Sequence, residues 1–424
     1  MASVSAYDRH KETNRRSMAT VSRRGRNIGD IPAVAVPERR REAAASFRVF
    51  CEAYFPETFN LEWSEDHLKA IGKNEESVLH GGLFGYAMPR GSGKTSLCEC
   101  GGLWAELNGH RDFTALIGAD EGKAGDMLDS VKVELESNDA LAADYPEVCT
   151  PISCLEGIAN RCSGQLHDDK RTRIEWTAKV IILPTLKPVG WLDDKELREF
   201  VRPDGYSLSS GAIIKVAGIT GGIRGMKHKR ADGKSVRPSL VILDDPQTDA
   251  SARSPSQCET RELILSGAIL GLAGPKKKIA GIMPCTVVRT GDMADRILDR
   301  TKYPQWNGVR TKMVYAFPAN TKLWDEYARL RKAGQQAGDE GREATEFYRN
   351  HRKSMDEGAV VAWPVRFNHD ELSAIQHAMN LKIDNERAFF AEYQNEPLPE
   401  EDSRADDLTP DQIAAKLNRM PRGL

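Results

Sequence analysis

The stretch that most restricts the fold of this chain is Met88-Pro-Arg-Gly-Ser-Gly-Lys-Thr95, which follows an apolar run at 83–87. The apolar run predicts a short buried strand, and the small residues at 91–93 predict a tight turn before a helix that begins at about Lys94. In such a turn, successive backbone N–H groups point inward. The start of the helix adds its own unpaired N–H groups and the positive end of its dipole. The stretch therefore predicts a binding site for the phosphates of a nucleoside triphosphate, although Met88 stands where the usual pattern has glycine.

The same pattern predicts individual roles within the turn. Lys94 would reach the β- and γ-phosphates, and the Thr95 hydroxyl would bind Mg²⁺, so ATP and Mg²⁺ are the predicted cofactors. The predicted nucleotide-binding residues are Pro89, Arg90, Gly91, Ser92, Gly93, Lys94, Thr95 and Ser96.

A strand end farther along the chain carries two acidic residues. The apolar run Leu240–Leu243 predicts a buried strand, and Asp244 and Asp245 follow it directly. We expect Asp244 to complete the Mg²⁺ site with Thr95, and Asp245 to orient and polarise the attacking water. Another predicted strand ends at Thr286, for which two interpretations remain open. The residue either senses the γ-phosphate and couples its loss to motion, or is an ordinary exit from a strand.

Strand and helix patterns alternate through the middle of the chain. A helix is predicted over 95–108, a strand over 113–119, a helix over 123–137, and further strands over 212–217 and 311–317. This alternation predicts an α/β fold with a doubly wound, mostly parallel sheet. We expect four regions, namely a basic, disordered arm at 1–40, a nucleotide-binding core at 41–320, a small helical subdomain at 321–396 and a linker at 397–424.

The segments before the phosphate-binding stretch leave alternatives open. The apolar pattern predicts an amphipathic helix over 38–55, and Ser64 is the predicted N-cap of the next helix, with His67 at its third position. Trp63 or His67 would approach the adenine ring, and core packing is the alternative for Trp63. Residues 1–41 hold ten basic residues against four acids, and the glycine-rich turn at 218–225 leads into a basic cluster. Each of these two segments either contacts nucleic acid or phosphate, or is a solvated surface.

Bulk composition excludes several classes of protein. The chain is 40% hydrophobic and 29% charged with a formal net charge of −2, which is typical of a soluble globular protein rather than a polycation. Its short apolar runs and its polar N-terminus predict neither a membrane span nor a secretory signal, and therefore an intracellular protein. Eight cysteines without a C-x-x-C pair predict reduced thiols, with a zinc site at Cys149, Cys154, Cys162 and His167 as the alternative.

The order of these motifs resembles the large terminase subunit of tailed bacteriophages, the ATPase that packages DNA into the procapsid. In that family the phosphate-binding stretch often lacks its first glycine and carries an arginine four residues before the lysine, as Arg90 does here. The resemblance covers roughly residues 45–400. It rests on Pro89–Thr95, Gly222-Ile-Arg-Gly225 upstream of Leu243–Pro246, the strand that ends at Thr286, and Phe389-Phe-Ala-Glu-Tyr-Gln-Asn-Glu-Pro397.

The resemblance implies a P-loop NTPase of the additional-strand type with Lys94, Asp245 and Arg90 as catalytic residues. Arg90 would contact the γ-phosphate or switch on nucleotide binding, because a guanidinium there can neutralise charge that develops in phosphoryl transfer. The implied function is an ATP-driven motor that moves double-stranded DNA in the host cell cytoplasm, away from any membrane. Its implied partners are the portal protein of the procapsid, the small terminase subunit and further copies of the chain in a homo-oligomeric ring.

Two departures from the family pattern qualify this expectation. Many members have glutamate where Asp245 stands, and Asp249 and Glu259 are the spare candidates for the catalytic acid. The roughly 27 residues after Pro397 are too few for the nuclease domain that follows in full large terminases, and would form only a linker and its start. We therefore expect a motor portion without nuclease activity.

Two other functions remain as alternatives. A helicase or DNA-repair ATPase would need further helicase motifs and a second sheet domain, for which there is no room after residue 320. A non-catalytic nucleotide-binding or assembly protein would use nucleotide only to stabilise its fold, because Asp245 would be too short to activate water.

Overall fold

The computed structural model describes residue 15 and residues 26–399, except 189, 224, 231, 232, 234, 270, 276 and 340. Within these residues, the strand patterns of the sequence produce one eight-stranded sheet and three two-stranded pairs. The described strands are β1 Gly82–Ala87, β2 Phe113–Gly118, β3 Leu166–His167, β4 Lys170–Arg171, β5 Glu175–Trp176, β6 Val180–Ile182, β7 Ile213–Gly218, β8 His228–Lys229, β9 Ser235–Val236, β10 Leu240–Asp244, β11 Ala280–Cys285, β12 Val309–Arg310, β13 Val314–Ala316 and β14 Val360–Val361.

The helices lie between these strands and after the last strand of the large sheet. Short 3₁₀ or π segments occur at Ala159–Gly164, Arg198–Phe200, Leu265–Ile269, Pro304–Trp306 and Phe389–Tyr393. The described α-helices are α1 Pro37–Ala45, α2 Phe47–Tyr54, α3 Glu65–His80, α4 Lys94–Leu107, α5 Glu121–Ser137, α6 Asp139–Asp144, α7 Pro146–Ser153, α8 Asp249–Ala252, α9 Pro255–Ile264, α10 Met293–Leu298, α11 Thr321–Ala337, α12 Arg342–Met355, α13 Ala374–Asp384 and α14 Glu386–Ala388.

The large sheet has the strand order β12-β1-β11-β10-β2-β7-β6-β5. The first six strands are mutually parallel, and β6 and β5 add an antiparallel edge. The prediction of an α/β fold with a mostly parallel sheet is therefore confirmed. One strand, β11, lies between β1 and β10 and pairs with both.

Both faces of this sheet are covered by helices. Phe84 and Tyr86 of β1 belong to an apolar cluster with α2, α3, α4 and α5, whereas Leu83 and Ala87 belong to a second cluster with α9 and α10. Successive strand residues point to opposite faces, so the near-continuous apolar strands of the sequence bury side chains on both sides. The helices therefore cover both faces of the large sheet, and polar residues are left to the ends of its strands.

The predicted outer strand at 311–317 is wrong in part. The strand that closes the sheet beside β1 is β12, two residues earlier, and β13 leaves the sheet to pair antiparallel with β14. The reason is the Gln394 side chain, which accepts a hydrogen bond from the Val314 N–H and donates one to the Val314 carbonyl. These two bonds occupy one edge of the Val314 backbone, and β14 occupies the other.

The single helix predicted over 38–55 is two helices, α1 and α2. Ser46 separates them because its backbone is extended, with φ −137° and ψ 120°, and its hydroxyl caps α2 by accepting from the Val49 N–H. The described end of the predicted disordered arm is packed against the core, with Ile31 and Val34 buried. Residues 1–14 and 16–25 of that arm lie outside the described residues.

Three arginines of the predicted basic arm are committed to ion pairs within the fold. Arg40 is fully buried and pairs with Glu147 at 2.6 Å, Arg39 pairs with Asp144 at 2.6 Å, and Arg41 pairs with Glu199 at 2.6 Å. Removing one partner of the buried Arg40–Glu147 pair would leave an uncompensated charge, so Arg40 anchors α1, whereas the exposed Arg41–Glu199 pair contributes little. These three arginines are paired within the fold and do not belong to a free nucleic-acid-binding arm.

Residues 321–396 form a helical unit with an apolar cluster of its own, built around Trp324, Tyr327 and Tyr348 on α11 and α12. Residues 400–424 of the predicted linker lie outside the described residues. No helix in the described part of the chain is long and apolar enough to cross a membrane.

Candidate functional site

The candidate site lies at the carboxyl ends of the neighbouring parallel strands β1, β11 and β10. Because β11 pairs with both others, the turn after β1, Asp244 at the end of β10 and Thr286 just after β11 lie side by side. Ligand sites of open parallel sheets form at this edge, where loops leave the sheet. A cleft of about 550 Å³ opens there, and Arg90, Lys94, Thr95, Asp244, Asp245 and Thr286 all line it.

The turn after β1 has the backbone that its glycines predict. Gly91 and Gly93 have φ angles of +74° and +75°, a left-handed conformation that side-chain-bearing residues rarely adopt. Helix α4 begins at Lys94, and no described side chain caps its first turn. Its first N–H groups and its dipole are therefore directed at whatever occupies the turn. Pro89 accepts a bond from the Ser92 N–H at 3.1 Å, and Ser96 lies half-buried on the first turn of α4.

Lys94 joins the turn to two other strand ends. Its side chain is largely buried, and Nζ donates to Thr286 Oγ1 at 2.7 Å and lies 3.5 Å from Asp245 Oδ2. The predicted phosphate-binding lysine, the predicted catalytic acid and the predicted coupling residue are thus in direct contact. The ammonium is the natural counter-charge for an anion that enters the cleft.

Asp244 is the carboxylate best placed to hold a cation. Thr95 Oγ1 donates to Asp244 Oδ2 at 2.9 Å, while Oδ1 is buried and has no hydrogen-bond partner among the described residues. Burial, and secondarily the charge of Asp245, raises the pKa of Asp244 to about 6. A cation at the unpaired oxygen would relieve both effects. One carboxylate and one hydroxyl beside phosphate oxygens are the donors that Mg²⁺ prefers, so these residues fit the predicted site.

The described residues contain no group of three or more His, Cys, Asp and Glu side chains that could hold a metal by themselves. A cation in the cleft would therefore need oxygens from the nucleotide in addition to Asp244 and Thr95. The alternative zinc site at Cys149, Cys154, Cys162 and His167 has no support among the described residues. Cys149 is buried, whereas Cys154 is exposed.

Asp245 is held in an unusual backbone conformation. Its φ is +36°, and its N–H donates to the Pro284 carbonyl of β11 at 3.1 Å. Such a conformation in a residue with a side chain is strained, and strain of this kind is often retained at functional sites. It directs the half-exposed carboxylate into the cleft, opposite Lys94.

Arg90 is held at the mouth of the cleft by the helical subdomain. Its N–H donates to the Glu392 carbonyl at 2.8 Å, and its guanidinium pairs with the Glu392 carboxylate at 3.2 Å. The Arg366 guanidinium donates to the Arg90 carbonyl, so both ends of the residue contact segments more than 270 positions away. The Arg90 side chain is 69% exposed and is free to leave Glu392 for a ligand.

Replacing Glu392 by glutamine should tighten ATP binding, because it removes the charge that competes for Arg90. Exposed ion pairs contribute about 0.2–1 kcal/mol, so the dissociation constant for ATP should fall by up to about fivefold. Calorimetric titration of the two proteins measures this, with Glu396→Gln as the control because Glu396 pairs with Lys312 outside the turn. Equal or weaker binding by the Glu392 variant would mean that the pair does not restrain Arg90.

Sequence reasoning missed several residues of the cleft. Glu99 follows Thr95 by one helical turn on α4, a spacing that places both side chains on one face and could have been used to find it. Burial raises the pKa of Glu99 to about 7, with Asp244 adding to the effect. Lys123 and Gln247 carried no sequence signal of this kind, yet both line the cleft with Glu99.

The residues predicted near the adenine ring have structural roles. Ser64 caps α3 as predicted, and His67 Nδ1 accepts from the Ser64 N–H, while Nε2 donates to the Ser92 carbonyl at 2.9 Å. His67 is therefore buried beneath the turn, with its ring 4.4 Å from that of Trp363. Trp63 packs on Phe59 and donates to Glu52, as its alternative interpretation expected. Arg224 lies outside the described residues.

The segment 389–397 ties the helical subdomain to the sheet. Asn395 is fully buried, accepts from the Val287 N–H just after Thr286, and donates to the Thr311 carbonyl just after β12. The π-helical turn Phe389–Tyr393 precedes it, and such turns often mark functional segments. A shift at the end of β11 would therefore be transmitted directly to the helical subdomain.

Taken together, the cleft offers a cation at Lys94, a helix start, an unpaired carboxylate oxygen at Asp244 and a strained carboxylate at Asp245. These groups could bind a phosphate-bearing ligand, hold a divalent cation and accept a proton from water. A scan against models of known protein families finds no match to this chain, and a search of curated proteins finds none either.

Proposed function

We propose that this chain is the Mg²⁺-dependent ATPase portion of a viral DNA-packaging terminase, which moves double-stranded DNA into a procapsid. The observation that carries the proposal is the pair of hydrogen bonds from Lys94 to Thr286 and from Thr95 to Asp244. Through them, the ends of three strands that are distant in sequence meet around one glycine turn at a helix start. A chance glycine turn would not collect these partners.

The strand order supports assignment to the additional-strand type of P-loop NTPase. In that type, one strand separates the strand before the phosphate-binding turn from the strand that carries the acids. Here β11 separates β1 from β10. The strand also supplies Thr286 beside Lys94, which favours a coupling role for Thr286 over an ordinary strand exit.

In the proposed hydrolysis, each residue of the cleft has a separate role. Bound Mg²⁺·ATP would supply the phosphoanhydride and a cation that neutralises its charge. The turn and the start of α4 orient the phosphates, and Lys94 exchanges its contacts with Thr286 and Asp245 for them. Asp244 holds the cation with Thr95. Asp245, released from Lys94, accepts a hydrogen bond from water in the cleft, and Arg90 neutralises charge at its mouth.

A motor needs physical contact between the nucleotide cleft and a subdomain that moves, and two contacts link the cleft to the helical subdomain. Arg90 touches Glu392, and the end of β11 touches Asn395, so both the phosphate turn and the coupling strand contact the helical subdomain. This arrangement, with the family resemblance, favours a packaging motor over a helicase. The portal protein, the small terminase subunit and a homo-oligomeric ring are proposed partners on the resemblance alone.

A non-catalytic nucleotide-binding protein is the second candidate, because Asp245 is shorter than glutamate and pairs with Lys94. Replacing Asp245 by glutamate separates the two functions. If Asp245 is the working acid, steady-state ATP turnover should fall or stay level in the variant, since the carboxylate moves by about the length of one C–C bond. Asp384→Glu is the matched control, because it makes the same change at an exposed aspartate that pairs with Arg331 and does not line the cleft. Turnover that appears only in the Asp245 variant would identify a crippled site.

The direct test of the proposal is ATP hydrolysis by the purified chain, with and without double-stranded DNA and with and without Mg²⁺. We expect Mg²⁺-dependent turnover that DNA stimulates. Turnover that does not respond to DNA would contradict a DNA-translocating motor. Nucleotide binding without turnover under every condition would favour the second candidate.

A further inference from the structure

A second concave surface lies at the opposite edge of the sheet, where the parallel strands begin. It encloses about 560 Å³ and is formed by segments that enter β2, β7, β10 and β11 and by the residue after β8. Five cationic side chains from four separate parts of the sequence surround it. They are Arg111, Arg202, Arg230, Lys277 and Lys278, which we call the basic surface.

The positive charge of the basic surface is only weakly compensated. Among the described residues, Asp112 is the one acidic residue that lines it, and its carboxylate pairs with Lys277 at 3.1 Å. Glu106 lies beneath, fully buried, and burial raises the pKa of this carboxyl well above its usual range, although the charge of Arg230 acts in the opposite direction. Among the described residues, five cationic side chains therefore line the surface with one acidic residue, in a chain whose net charge is −2. The concentration of charge is local.

Two arginines of the basic surface are fixed by neutral groups. Arg111 donates to the Val78 carbonyl at 2.6 Å and, at 3.3 Å, to the carbonyls of Ser77, Ser239 and Lys278. Arg202 donates to the Leu208 and Ser210 carbonyls. Carbonyls position a guanidinium without neutralising it, so the charges are held in place before any ligand arrives.

Arg230 carries a hydrogen-bond donor that no described residue satisfies. Its Nε is buried and has no hydrogen-bond partner among the described residues, while Nη2 makes one long bond of 3.4 Å to the Asp112 carbonyl. Buried polar groups are normally satisfied, and an unsatisfied guanidinium beside other cations is unfavourable. A bound anion with several acceptor oxygens would satisfy it.

We propose that the basic surface binds the phosphate backbone of a nucleic acid. Backbone contacts need cations and donors, which this surface supplies, and need no apolar anchor. A protein partner would be expected to find aromatic or aliphatic anchors, yet Leu208 is the only large apolar side chain that lines the cavity in the part of the chain that the structure describes. The identification of this nucleic acid with the DNA track of the motor rests on the proposed function. Phosphate binding itself does not.

The test is fluorescence anisotropy of a labelled DNA duplex with the full chain, without nucleotide, over about 50–200 mM salt. Relative to the unaltered chain, the triple variant Arg230→Gln/Lys277→Gln/Lys278→Gln should bind about tenfold more weakly and lower the salt slope by about 2–3. The matched control Arg329→Gln/Lys170→Gln/Lys302→Gln removes the same charge from other exposed ion pairs and should bind like the unaltered chain. The variant Arg230→Lys/Lys277→Arg/Lys278→Arg should retain binding, because it keeps the charge.

Equal binding by the triple variant and its control would overturn the proposal, as would an unaltered chain that does not bind DNA. Loss of binding to poly-glutamate with DNA binding intact would instead identify a site for an acidic protein. Should the triple variant fail to fold, the single exposed change Lys278→Glu gives the same comparison. Absence of ATP turnover in every variant would contradict the proposed function and leave this inference intact, since binding is measured without ATP.

Discussion

Replacing Lys94 by alanine should lower ATP turnover by about 10²–10³-fold, the usual effect of removing one preorganised group that stabilises charge in the transition state. The effect should be large because Nζ is the cation that contacts both the proposed coupling residue, at 2.7 Å from Thr286 Oγ1, and the proposed catalytic acid, at 3.5 Å from Asp245 Oδ2. Steady-state phosphate release measures it.

The control is Lys302→Ala, which removes an exposed lysine far from the cleft and should leave turnover unchanged. Thermal unfolding of both variants checks that the fold persists. Turnover that is unchanged in Lys94→Ala would show that hydrolysis occurs at another site or belongs to a contaminant.

Replacing Asp244 by asparagine should abolish Mg²⁺-dependent turnover and, at the same time, stabilise the protein free of ligands. The Asp244 carboxylate supplies the buried oxygen that would hold the cation, and asparagine is a poorer ligand. The pKa of about 6, against an ordinary 3.8, corresponds to about 3 kcal/mol lost on ionising this group in the fold. Asparagine avoids that loss but leaves an unpaired amide N–H, so we expect a net gain of about 1–2 kcal/mol at pH 8.

The pH dependence of this gain follows from the direction of the pKa change. A carboxyl with a raised pKa binds its proton more tightly in the folded state, so its ionisation destabilises the fold above about pH 6. As the pH falls from 6 towards 4, Asp244 is protonated and its penalty disappears. The asparagine variant should therefore be the more stable protein above pH 6, and near pH 4 it should be the less stable one by about 1–2 kcal/mol, because only the cost of its unpaired amide N–H remains.

Urea unfolding at several pH values measures this difference, and the same titrations with Mg²⁺ and a non-hydrolysable ATP analogue measure ligand stabilisation. The ligand should stabilise the unaltered chain and have little effect on the variant. A stability difference between the variant and the unaltered chain that does not change with pH would mean that burial does not raise the pKa of Asp244. A variant that retains full stabilisation by Mg²⁺ would remove Asp244 from the cation site.

Much of the candidate site is predictable because its signals are local. The glycines at 91 and 93 and the helix start at Lys94 depend on backbone sterics within one turn, so the printed residues suffice to predict them. Asp244 at the end of an apolar run is likewise local. The meeting of these two segments was also predictable, because parallel strands place their carboxyl ends at one edge of the sheet.

The contacts that hold the site in place were not predictable in the same way. Arg90 with Glu392 and Gly91 beside Arg366 join positions more than 270 residues apart, and nothing in the local pattern of either partner indicates the other. The same is true of Gln394, whose side chain bonds the backbone of Val314. Val314 therefore lies outside the large sheet, although β-propensity alone predicts a strand of that sheet there. Val314 is still in a strand, β13, but the strand with which it pairs depends on tertiary contacts and not on strand propensity.

Local patterns along the chain suffice to predict the class of fold, the glycine turn, and the lysine, threonine and aspartate around it. Which charged side chains are paired and which are unpaired depends instead on contacts between distant segments. Arg40 is buried against Glu147 although its neighbours read as a basic arm, whereas Arg111, Arg202 and Arg230 gather from distant loops into one basic surface. The physical reason is that backbone conformation depends on neighbours along the chain, whereas the compensation of charge depends on neighbours in space.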